Sequence, residues 1–437
     1  METIKSKIDS RNISFLQFII IFICFFLNII DGMDVLVISY TAPVIASSWD
    51  ISFKALGVVF SSGVFGMAVG ALLLAPYADK IGRKKIILLS TIIISIGILL
   101  TGFSKNIYHL IFLRFLSGIG IGTMLASTVS LVSEYTPNRS RDFWVSFILA
   151  GYPLGAILAG YLSNYILKYY SWEDVYIAFG LISIFFIPII YFFLLESVDF
   201  LLKNQPKNAL SRVNLILKKL DFSKIEFLPT KINVGSKIPV NSLFQAKYID
   251  STIKLWTAFF FSFACLYFLI SWIPKIVTEL GLSLELGIYS GTVFNIGAFF
   301  GIVTQGYFSS KFGLKKIISL FLIVTCIIMT QIQHFFGSDW MLFIFSVLGF
   351  TIQGGFVGLY SIAARIYPTE FRTTGVGWGI GAGRLGAVLG PLVAGVLIGA
   401  GISISMNFII FAVAALIAAL ITHICLLYTS PSPRDLH

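Results

Sequence analysis

The sequence predicts an all-α membrane protein with about twelve transmembrane helices in two six-helix halves related by pseudo-two-fold symmetry. Three observations predict this fold: an apolar composition, repeated stretches long enough to cross a bilayer, and an internal repeat. Hydrophobic residues make up 57% of the 437 positions and charged residues 12%, and the mean hydropathy is +0.93. A water-soluble globule of this composition would lack the polar side chains to cover its surface, so the bilayer must be the solvent.

Twelve apolar stretches have the length that a membrane-spanning helix needs, which is roughly 20 residues. The first, at about 14–47, is not a cleaved signal peptide, because it continues past Asp31 and Asp34 and lacks a small-residue cleavage site. The others lie at 55–78, 86–104, 108–133, 143–167, 175–195, 255–274, 286–310, 317–338 and 341–364, with two more between 374 and 427.

A long polar stretch separates six spans from the other six. We therefore predict a cytoplasmic amino-terminal tail at 1–13, a six-helix bundle at 14–196, a cytoplasmic central loop at 197–252 and a second bundle at 253–427. Residues 428–437 resemble a translated sequencing adapter, and we expect them to be non-native. Within the central loop, helical spacing at 209–220 predicts an amphipathic helix lying on the membrane, although an interaction or regulatory role is an alternative.

An internal repeat appears when residue numbers are shifted by 231. Residues 155–158 then align with 386–389, and residues 75–84 align with 306–315. Several blocks that share one shift predict parallel halves of six spans each, the architecture of rocker-switch secondary transporters.

The net charge of +11 would suggest a nucleic-acid partner in a soluble protein, but here the membrane topology accounts for it. If the amino terminus is cytoplasmic, most of the 31 lysines and arginines lie in loops on that side, whereas Lys54, Lys105, Lys168 and Lys275 lie opposite. We therefore predict a multi-pass protein of a bacterial-type inner (plasma) membrane with both termini cytoplasmic. The partners are the lipid bilayer and no nucleic acid, and we expect a functional monomer.

Enzyme chemistry has little support in the sequence. The four cysteines, Cys24, Cys265, Cys326 and Cys425, lie in predicted spans without a CxxC or Cys/His pattern. No nucleophile and base pair, metal cluster or phosphate-binding loop is present in the sequence. We expect no enzyme activity, no cofactor and no metal.

Two carboxylates interrupt the first span. Asp31 and Asp34 are three residues apart, which places both on roughly one helical face. Acids at that depth are costly and usually functional, and such a pair is suited to taking up and releasing protons. The alternative is that the first span ends near Ile30 and that both acids lie at its mouth.

Two arginines also lie within spans. Arg114 interrupts the fourth span, and either forms an internal salt bridge with Asp31, Asp34 or Glu134 or acts directly in transport. Arg384 has no acid nearby in sequence, so its guanidinium is suited to binding an anionic substrate, although a structural role is the alternative.

The loop between the second and third spans carries Asp79, Gly82 and Arg83. Glycine allows a tight turn, and an acid that pairs with a basic residue in one conformation can act as a gate; a plain positive-inside anchor is the alternative. The segment resembles the signature loop of the major facilitator superfamily, G-x-x-x-D-R/K-x-G-R-R/K, with Ala75 in place of its first glycine. The second-half copy is degraded, because Ser310 stands where the acid would be.

Five further segments narrow the resemblance to the aromatic acid:proton symporter family. They are Asp-Gly-x-Asp in the first span, the segment 134–141 after the fourth, 151–156 in the fifth, 194–202 at the exit from the sixth, and the segment 367–386. The resemblance runs over nearly the whole chain. It implies the major facilitator fold and roles in transport for six charged residues: Asp31, Asp34 and Glu134 in proton coupling, and Arg114, Arg372 and Arg384 in substrate binding. Arg141 joins Asp79, Gly82 and Arg83 as a gating residue.

The predicted function is proton-coupled symport by alternating access, importing a small aromatic or related organic carboxylate. The alternatives are symport of another organic anion, such as a dicarboxylate or sugar acid, and proton-driven efflux of small molecules. A transporter-like sensor would need a signalling appendage, and none is evident beyond the central loop.

Overall fold

The computed structural model describes residues 8–9, 11, 13–229, 243–245, 248–367 and 372–425. Within these ranges, twelve helices are long and apolar enough to cross a membrane, which confirms the predicted number. We call them spans 1 to 12 in chain order. They are Phe15–Ser48, Phe53–Ile81, Arg83–Thr101, Ile107–Tyr135, Phe143–Tyr169, Trp172–Phe193, Ile249–Glu279, Leu284–Phe312, Leu314–Phe335, Met341–Ala363, Thr374–Gly399 and Ile404–His423.

Several spans begin at polar side chains that satisfy the unpaired N–H groups of a helix amino terminus. The Asn106 side chain accepts from the N–H of His109 at 3.0 Å before span 4. Ser283 accepts from Leu286 at 3.2 Å before span 8. Short loops with such caps let the chain reverse direction without leaving backbone donors unpaired.

Span 1 is one continuous helix from Phe15 to Ser48, with Pro43 inside its last third. The alternative in which the span ends near Ile30 is therefore wrong. Asp31 and Asp34 lie near the middle of a 34-residue helix, where they are 2% and 1% exposed.

Span 2 loses regular α-helical geometry before its loop. An α-helix at Phe53–Val69 gives way to a π turn at Gly70–Leu74, a 3-10 turn at Ala75–Tyr77 and a short helix at Ala78–Ile81. Pro76 has no N–H to donate, so the regular hydrogen-bond ladder cannot continue through it. The irregular turns deliver the chain to the loop that carries Asp79.

Close helix packing repeats at the same shift as the sequence. Gly66 leaves no room for a Cβ beside the carbonyl of Phe115, and Gly297 leaves none beside that of Ser346. The same holds for the equivalent pairs Gly70 with Ile119 and Gly301 with Phe350, and Gly155 with Ile29 and Gly386 with Phe260. Small residues allow this backbone approach, so the two halves use equivalent glycines for equivalent contacts.

The structure falls into two compact units by its internal contacts. The first takes in the described residues of Met1–Val35, Gly66–Ala156 and Tyr170–Gly235, and the second those of Leu36–Phe65, Ile157–Tyr169 and Ser236–His437. Spans 1, 2 and 5 contribute residues to both. The predicted bundles at 14–196 and 253–427 remain a prediction.

The central loop contains two short helices, Val198–Asn204 and Ala209–Lys219. The second is the predicted amphipathic helix, but Val213, Ile216 and Leu217 on its apolar side are buried within the protein. The expectation that this helix lies on the membrane is therefore wrong, because its apolar side chains already have protein partners.

Candidate functional site

A buried ion pair joins spans 1 and 4. Arg114 Nη1 lies 2.7 Å from Asp34 Oδ1 and donates to the Asp34 backbone carbonyl at 3.1 Å. The side chains are 2% and 1% exposed. Arg114 Nη2 donates to Thr101 Oγ1 at 3.4 Å, and the guanidinium lies 5.3 Å from the centre of the Tyr176 ring. The structure thus selects Asp34 from the three acids that the sequence left as partners of Arg114.

Asp31 lies one turn before Asp34 on the same helix and is also buried. Between them, Gly32 leaves no space for a Cβ beside the carbonyl of Tyr152 in span 5. The glycine of the Asp-Gly-x-Asp pattern therefore lets span 5 pack against span 1 beside the two acids.

The loop between spans 2 and 3 turns at Gly82, which has φ +107° and ψ +146°. A side chain at this position would also collide with the Glu196 carboxylate. Glu196 Oε1 accepts from the N–H groups of Lys84 and Ser197, each at 3.0 Å. The Glu196 carboxylate thus lies at the amino terminus of span 3, where the helix dipole favours a negative charge.

Arg83 joins this loop to the end of span 4. Its guanidinium forms an ion pair with Glu134, and the Ser197 hydroxyl donates to the same carboxylate. A second, longer contact runs from Arg83 Nη2 to Asp79 Oδ1 at 3.8 Å, with Asp79 80% exposed. We call Asp79, Gly82, Arg83, Glu134 and Glu196 the loop cluster. Glu134 thus lies beside Arg83, whereas from the sequence we grouped it with Asp31 and Asp34.

Two other residues, Arg141 and Arg372, were also predicted as site residues. The Arg141 guanidinium donates to Asn138, three residues earlier, and no ion pair to Asp79 or Glu134 is among its described contacts. Arg372 begins the helix Arg372–Gly399, and its side chain lies outside the described part of the structure. In the described residues no group of three or more His, Cys, Asp or Glu side chains is placed to hold a metal ion.

Arg384 lies in span 11 and points toward aromatic side chains of span 7. Its Nη1 donates to the Tyr267 hydroxyl at 3.2 Å, and its guanidinium lies 5.8 Å from the centre of the Phe263 ring. Gly383 leaves no space for a Cβ beside the same ring, and Gly386 leaves none beside the Phe260 carbonyl. The glycines around Arg384 thus bring its helix close enough to span 7 for these contacts.

The aromatic side chains beside Arg384 form one cluster, which we call the Arg384 cluster. Phe263 stacks on Tyr267 and meets Phe356 of span 10 edge to face at 4.6 Å between centroids. Tyr360 packs edge to face with Phe356 at 5.4 Å. Phe259 completes the cluster by contacting Phe263 at 6.2 Å and Tyr360 at 5.4 Å. A cation beside a phenylalanine ring and a tyrosine hydroxyl offers an anion both charge and apolar contact.

Sequence reasoning assigned no role to Glu196 or Tyr267. Glu196 follows span 6 directly, and an acid next to a serine at the end of a span is the signal that would have singled it out. Tyr267 is a polar group within an apolar span, but so are many serines and threonines that bond their own helix, so position alone carried too little information.

Comparison with known proteins decides the family. The Major Facilitator Superfamily model matches residues 24–306 and 291–437. The chain is 31% identical over 421 residues to a gallate transporter from Pseudomonas putida, covering 95% of this chain and 93% of the relative. It is also 31% identical over 424 residues to a 4-hydroxybenzoate transporter from Acinetobacter baylyi, covering 95% and 92%. This chain belongs to the Major Facilitator Superfamily.

The superfamily fold is also found among solved structures. A D-xylose–proton symporter matches with a TM-score of 0.75 and 16% identity, covering 93% of this chain and 97% of that one. At such low identity the match shows the fold alone. The predicted resemblance to the superfamily's aromatic acid transporters is confirmed, because two relatives named for such acids match nearly the whole chain. The protein is a transporter of the superfamily and not an enzyme.

Proposed function

We propose that this transporter imports a small aromatic carboxylate together with protons by alternating access. The observation that carries the proposal is the Arg384 cluster, in which a guanidinium lies against the ring of Phe263 and bonds the hydroxyl of Tyr267. A carboxylate matches the donors of a guanidinium, and an aromatic ring matches the neighbouring ring faces. Relatives named for gallate and 4-hydroxybenzoate support the same class of substrate.

The proton is carried by the acids of span 1 in this proposal. When Asp34 is ionised, it holds Arg114 in a buried ion pair. Proton uptake at Asp34 removes the charge from one partner and weakens its hold on Arg114, while Asp31 one turn away is a second proton site. Because unpairing a buried charge costs about 3 to 5 kcal/mol, protonation of Asp34 changes the free energy of the packing of spans 1 and 4. Proton uptake and substrate binding are coupled when the conformation favoured by this change also favours the substrate carboxylate at Arg384.

The loop cluster is proposed as the gate of the cytoplasmic side. Arg83 bonded to Glu134 and Asp79 holds spans 2, 3 and 4 together at this end. Protonation of Glu134 would release Arg83, so this acid keeps a proton-linked role at the gate. Arg141 and Arg372, which occupy equivalent positions in the two halves, are proposed to act at the same membrane side, Arg372 with the substrate.

The topology in this proposal follows the positive-inside rule, with both termini in the cytoplasm. The bundles at 14–196 and 253–427 are the two bodies that alternate, and the central loop joins them. A monomer contains every residue that the proposal uses.

The proposal is tested by uptake of radiolabelled benzoate and 4-hydroxybenzoate into proteoliposomes with and without an inward proton gradient. We expect accumulation that depends on the gradient. A competition panel of a dicarboxylate, a sugar acid and cationic drugs then measures the class of substrate. Stronger competition by the dicarboxylate or the sugar acid would contradict the aromatic assignment, and transport out of the vesicles along the proton gradient would contradict import.

Coupling is tested in the Asp31→Asn, Asp34→Asn double variant. We expect it to lose gradient-driven accumulation but to keep exchange of labelled for unlabelled substrate, because exchange requires no net proton movement. Asp50→Asn is the matched control, since Asp50 is an exposed loop acid with a left-handed backbone that asparagine tolerates. Full accumulation by the double variant would disprove the coupling scheme.

A further inference from the structure

Gln353 is a buried amide near the middle of span 10. Its side chain is 8% exposed, and its Oε1 atom has no hydrogen-bond partner among the described residues. Span 10 runs from Met341 to Ala363, so the amide lies at a depth where water is scarce. A buried polar group without a hydrogen bond costs about 1 to 3 kcal/mol in proteins, so its presence needs an explanation.

The neighbours of Gln353 place it beside the Arg384 cluster. Gln353, Phe356 and Tyr360 are three and four residues apart in turn, and therefore share one face of span 10. Spans 7 and 10 run antiparallel in this region, because Phe259 contacts Tyr360 while Phe263, one turn later, contacts Phe356. The next turn in this register brings Gln353 level with Tyr267, the residue that bonds Arg384.

Helical side chains lean toward the amino terminus of their helix. Tyr360 accordingly packs against Phe356, one turn before it, and Gln353 lies one further turn toward the amino terminus of span 10. A ring whose carboxylate is bound at Arg384 and which packs beside Phe356 is therefore about one helical turn from the amide.

We propose that Gln353 determines substrate specificity by hydrogen-bonding a hydroxyl substituent on the aromatic ring of the transported carboxylate. The inference rests on the proposed function, since it assumes that Arg384 binds the carboxylate. The amide oxygen accepts the proton of a ring hydroxyl, and the amide N–H can donate to the hydroxyl oxygen. When an acid with an unsubstituted ring binds, the amide stays without a hydrogen bond, which costs free energy. The site therefore binds hydroxylated acids more tightly than unsubstituted ones.

The test compares affinities of the purified full-length protein for benzoate, 3-hydroxybenzoate and 4-hydroxybenzoate by competition against labelled uptake in proteoliposomes. We expect the wild type to prefer at least one hydroxybenzoate over benzoate by about tenfold, the size of one buried hydrogen bond. In Gln353→Leu, which keeps the volume and removes the amide, we expect that preference to fall to about twofold or less, with benzoate affinity unchanged or improved.

A matched control is Gln305→Leu. Gln305 is another buried glutamine of a span, 4% exposed, but its amide already donates to Ser309 Oγ at 2.7 Å. This variant should leave the preference for hydroxybenzoate intact. If Gln353→Leu yields too little folded protein, Gln353→Asn, which keeps a shorter amide, should reduce the preference by a smaller factor.

The outcomes separate this inference from the proposed function. Equal loss of affinity for benzoate and hydroxybenzoates in Gln353→Leu, or an unchanged preference, overturns the role of Gln353 while the aromatic carboxylate proposal stands. A wild type that prefers benzoate overturns it as well. Failure of all three acids to be transported by the wild type overturns the proposed function and the inference with it.

Discussion

The loop that enters span 3 and the loop that enters span 9 share one backbone turn but differ in the side chains around it. Gly82 has φ +107° and ψ +146°, and Gly313 has φ +95° and ψ +135°. Around Gly82 a side chain would collide with Glu196, whereas within the described part of the chain no neighbouring atom lies within 4 Å of the equivalent point at Gly313. The turn is repeated, and the acids around it are not.

The second-half loop has lost each charged partner by substitution. At the shift of the repeat, Ser310 stands for Asp79, Leu314 for Arg83 and Arg365 for Glu134. The end of span 10 is bonded to the start of span 7 through uncharged groups, from the Tyr367 hydroxyl to Thr252 Oγ1 at 3.1 Å. Burial raises the pKa of Tyr367 above its ordinary value, so this hydroxyl stays neutral at physiological pH.

The shared turn therefore belongs to the architecture of both halves, and we propose that the charged residues around Gly82 regulate the first half alone. A glycine turn is needed wherever two antiparallel spans are joined this tightly, so both halves keep it. Charges that pair in one conformation are needed only where a gate must hold and release. We therefore expect substitutions in the first loop to alter transport and equivalent substitutions in the second to alter mainly stability.

The largest effect is expected for Gly82→Ala compared with Gly313→Ala. Both glycines adopt a backbone conformation that costs other residues about 1 to 3 kcal/mol, and only Gly82→Ala adds a collision with Glu196. We expect Gly82→Ala to reduce the uptake rate more than tenfold and Gly313→Ala to reduce it less than threefold. Initial uptake rates, normalised to the folded protein in the vesicles, measure both. Equal losses would show that the turn alone matters.

A smaller effect is expected for Glu196→Ala. Removing this carboxylate leaves the N–H groups of Lys84 and Ser197 without their acceptor, at a cost of about 1 to 3 kcal/mol. We expect a fall in thermal midpoint in detergent and faster reaction of a cysteine placed at Lys80 with a membrane-impermeant reagent. Glu279→Ala is the control, because Glu279 forms an exposed pair with Lys275 within one helix, and such pairs contribute little. Similar changes in both variants would argue against a structural role for Glu196 in the gate.

The comparison between the two loops is also tested by introducing, in the second half, the counterpart of the ion pair between Arg83 and Glu134. The double variant Leu314→Arg, Arg365→Glu places at the second loop the ion pair that Arg83 and Glu134 form in the first. If the repeat positions are equivalent, the new pair should stabilise that loop by about 1 kcal/mol and slow transport by about fivefold. Each single variant is the control, since neither can form the pair. If the double variant slows transport by the product of the factors measured for the two single variants, the two side chains do not form a pair.

The helices and the repeat could be predicted from the sequence because they depend on local patterns. The lengths of the apolar stretches predicted twelve spans. The position of Asp31 and Asp34 within a continuing apolar stretch predicted their burial, which the structure of span 1 confirms. Gly82 was predicted from its place in a tight turn, and its φ angle agrees. Each of these features is decided within one helix or one loop.

Partners across helices could not be predicted, because they depend on how spans pack. Arg114 had three possible acids, and only the packing of spans 1 and 4 selects Asp34, 80 residues away. Glu134 was grouped with the proton acids, but the turn at Gly82 brings Arg83 to it. The amphipathic helix of the central loop has the pattern of a membrane-surface helix, and tertiary packing buries the same residues in protein.

The smallest effect is expected for Asp79→Asn. In the sequence Asp79 is the most conspicuous residue of the loop, but its side chain is 80% exposed and its contact with Arg83 is 3.8 Å long. An exposed ion pair contributes about 0 to 1 kcal/mol and is weakened by salt, whereas Glu134 beside the same arginine is 10% exposed. We expect Asp79→Asn to slow uptake less than threefold and Glu134→Gln to slow it more, with the ratio between them measured at low and high salt. A larger loss from Asp79→Asn would show that the contact tightens in another conformation of the transport cycle, and that the loop's exposed acid, not its buried one, controls the gate.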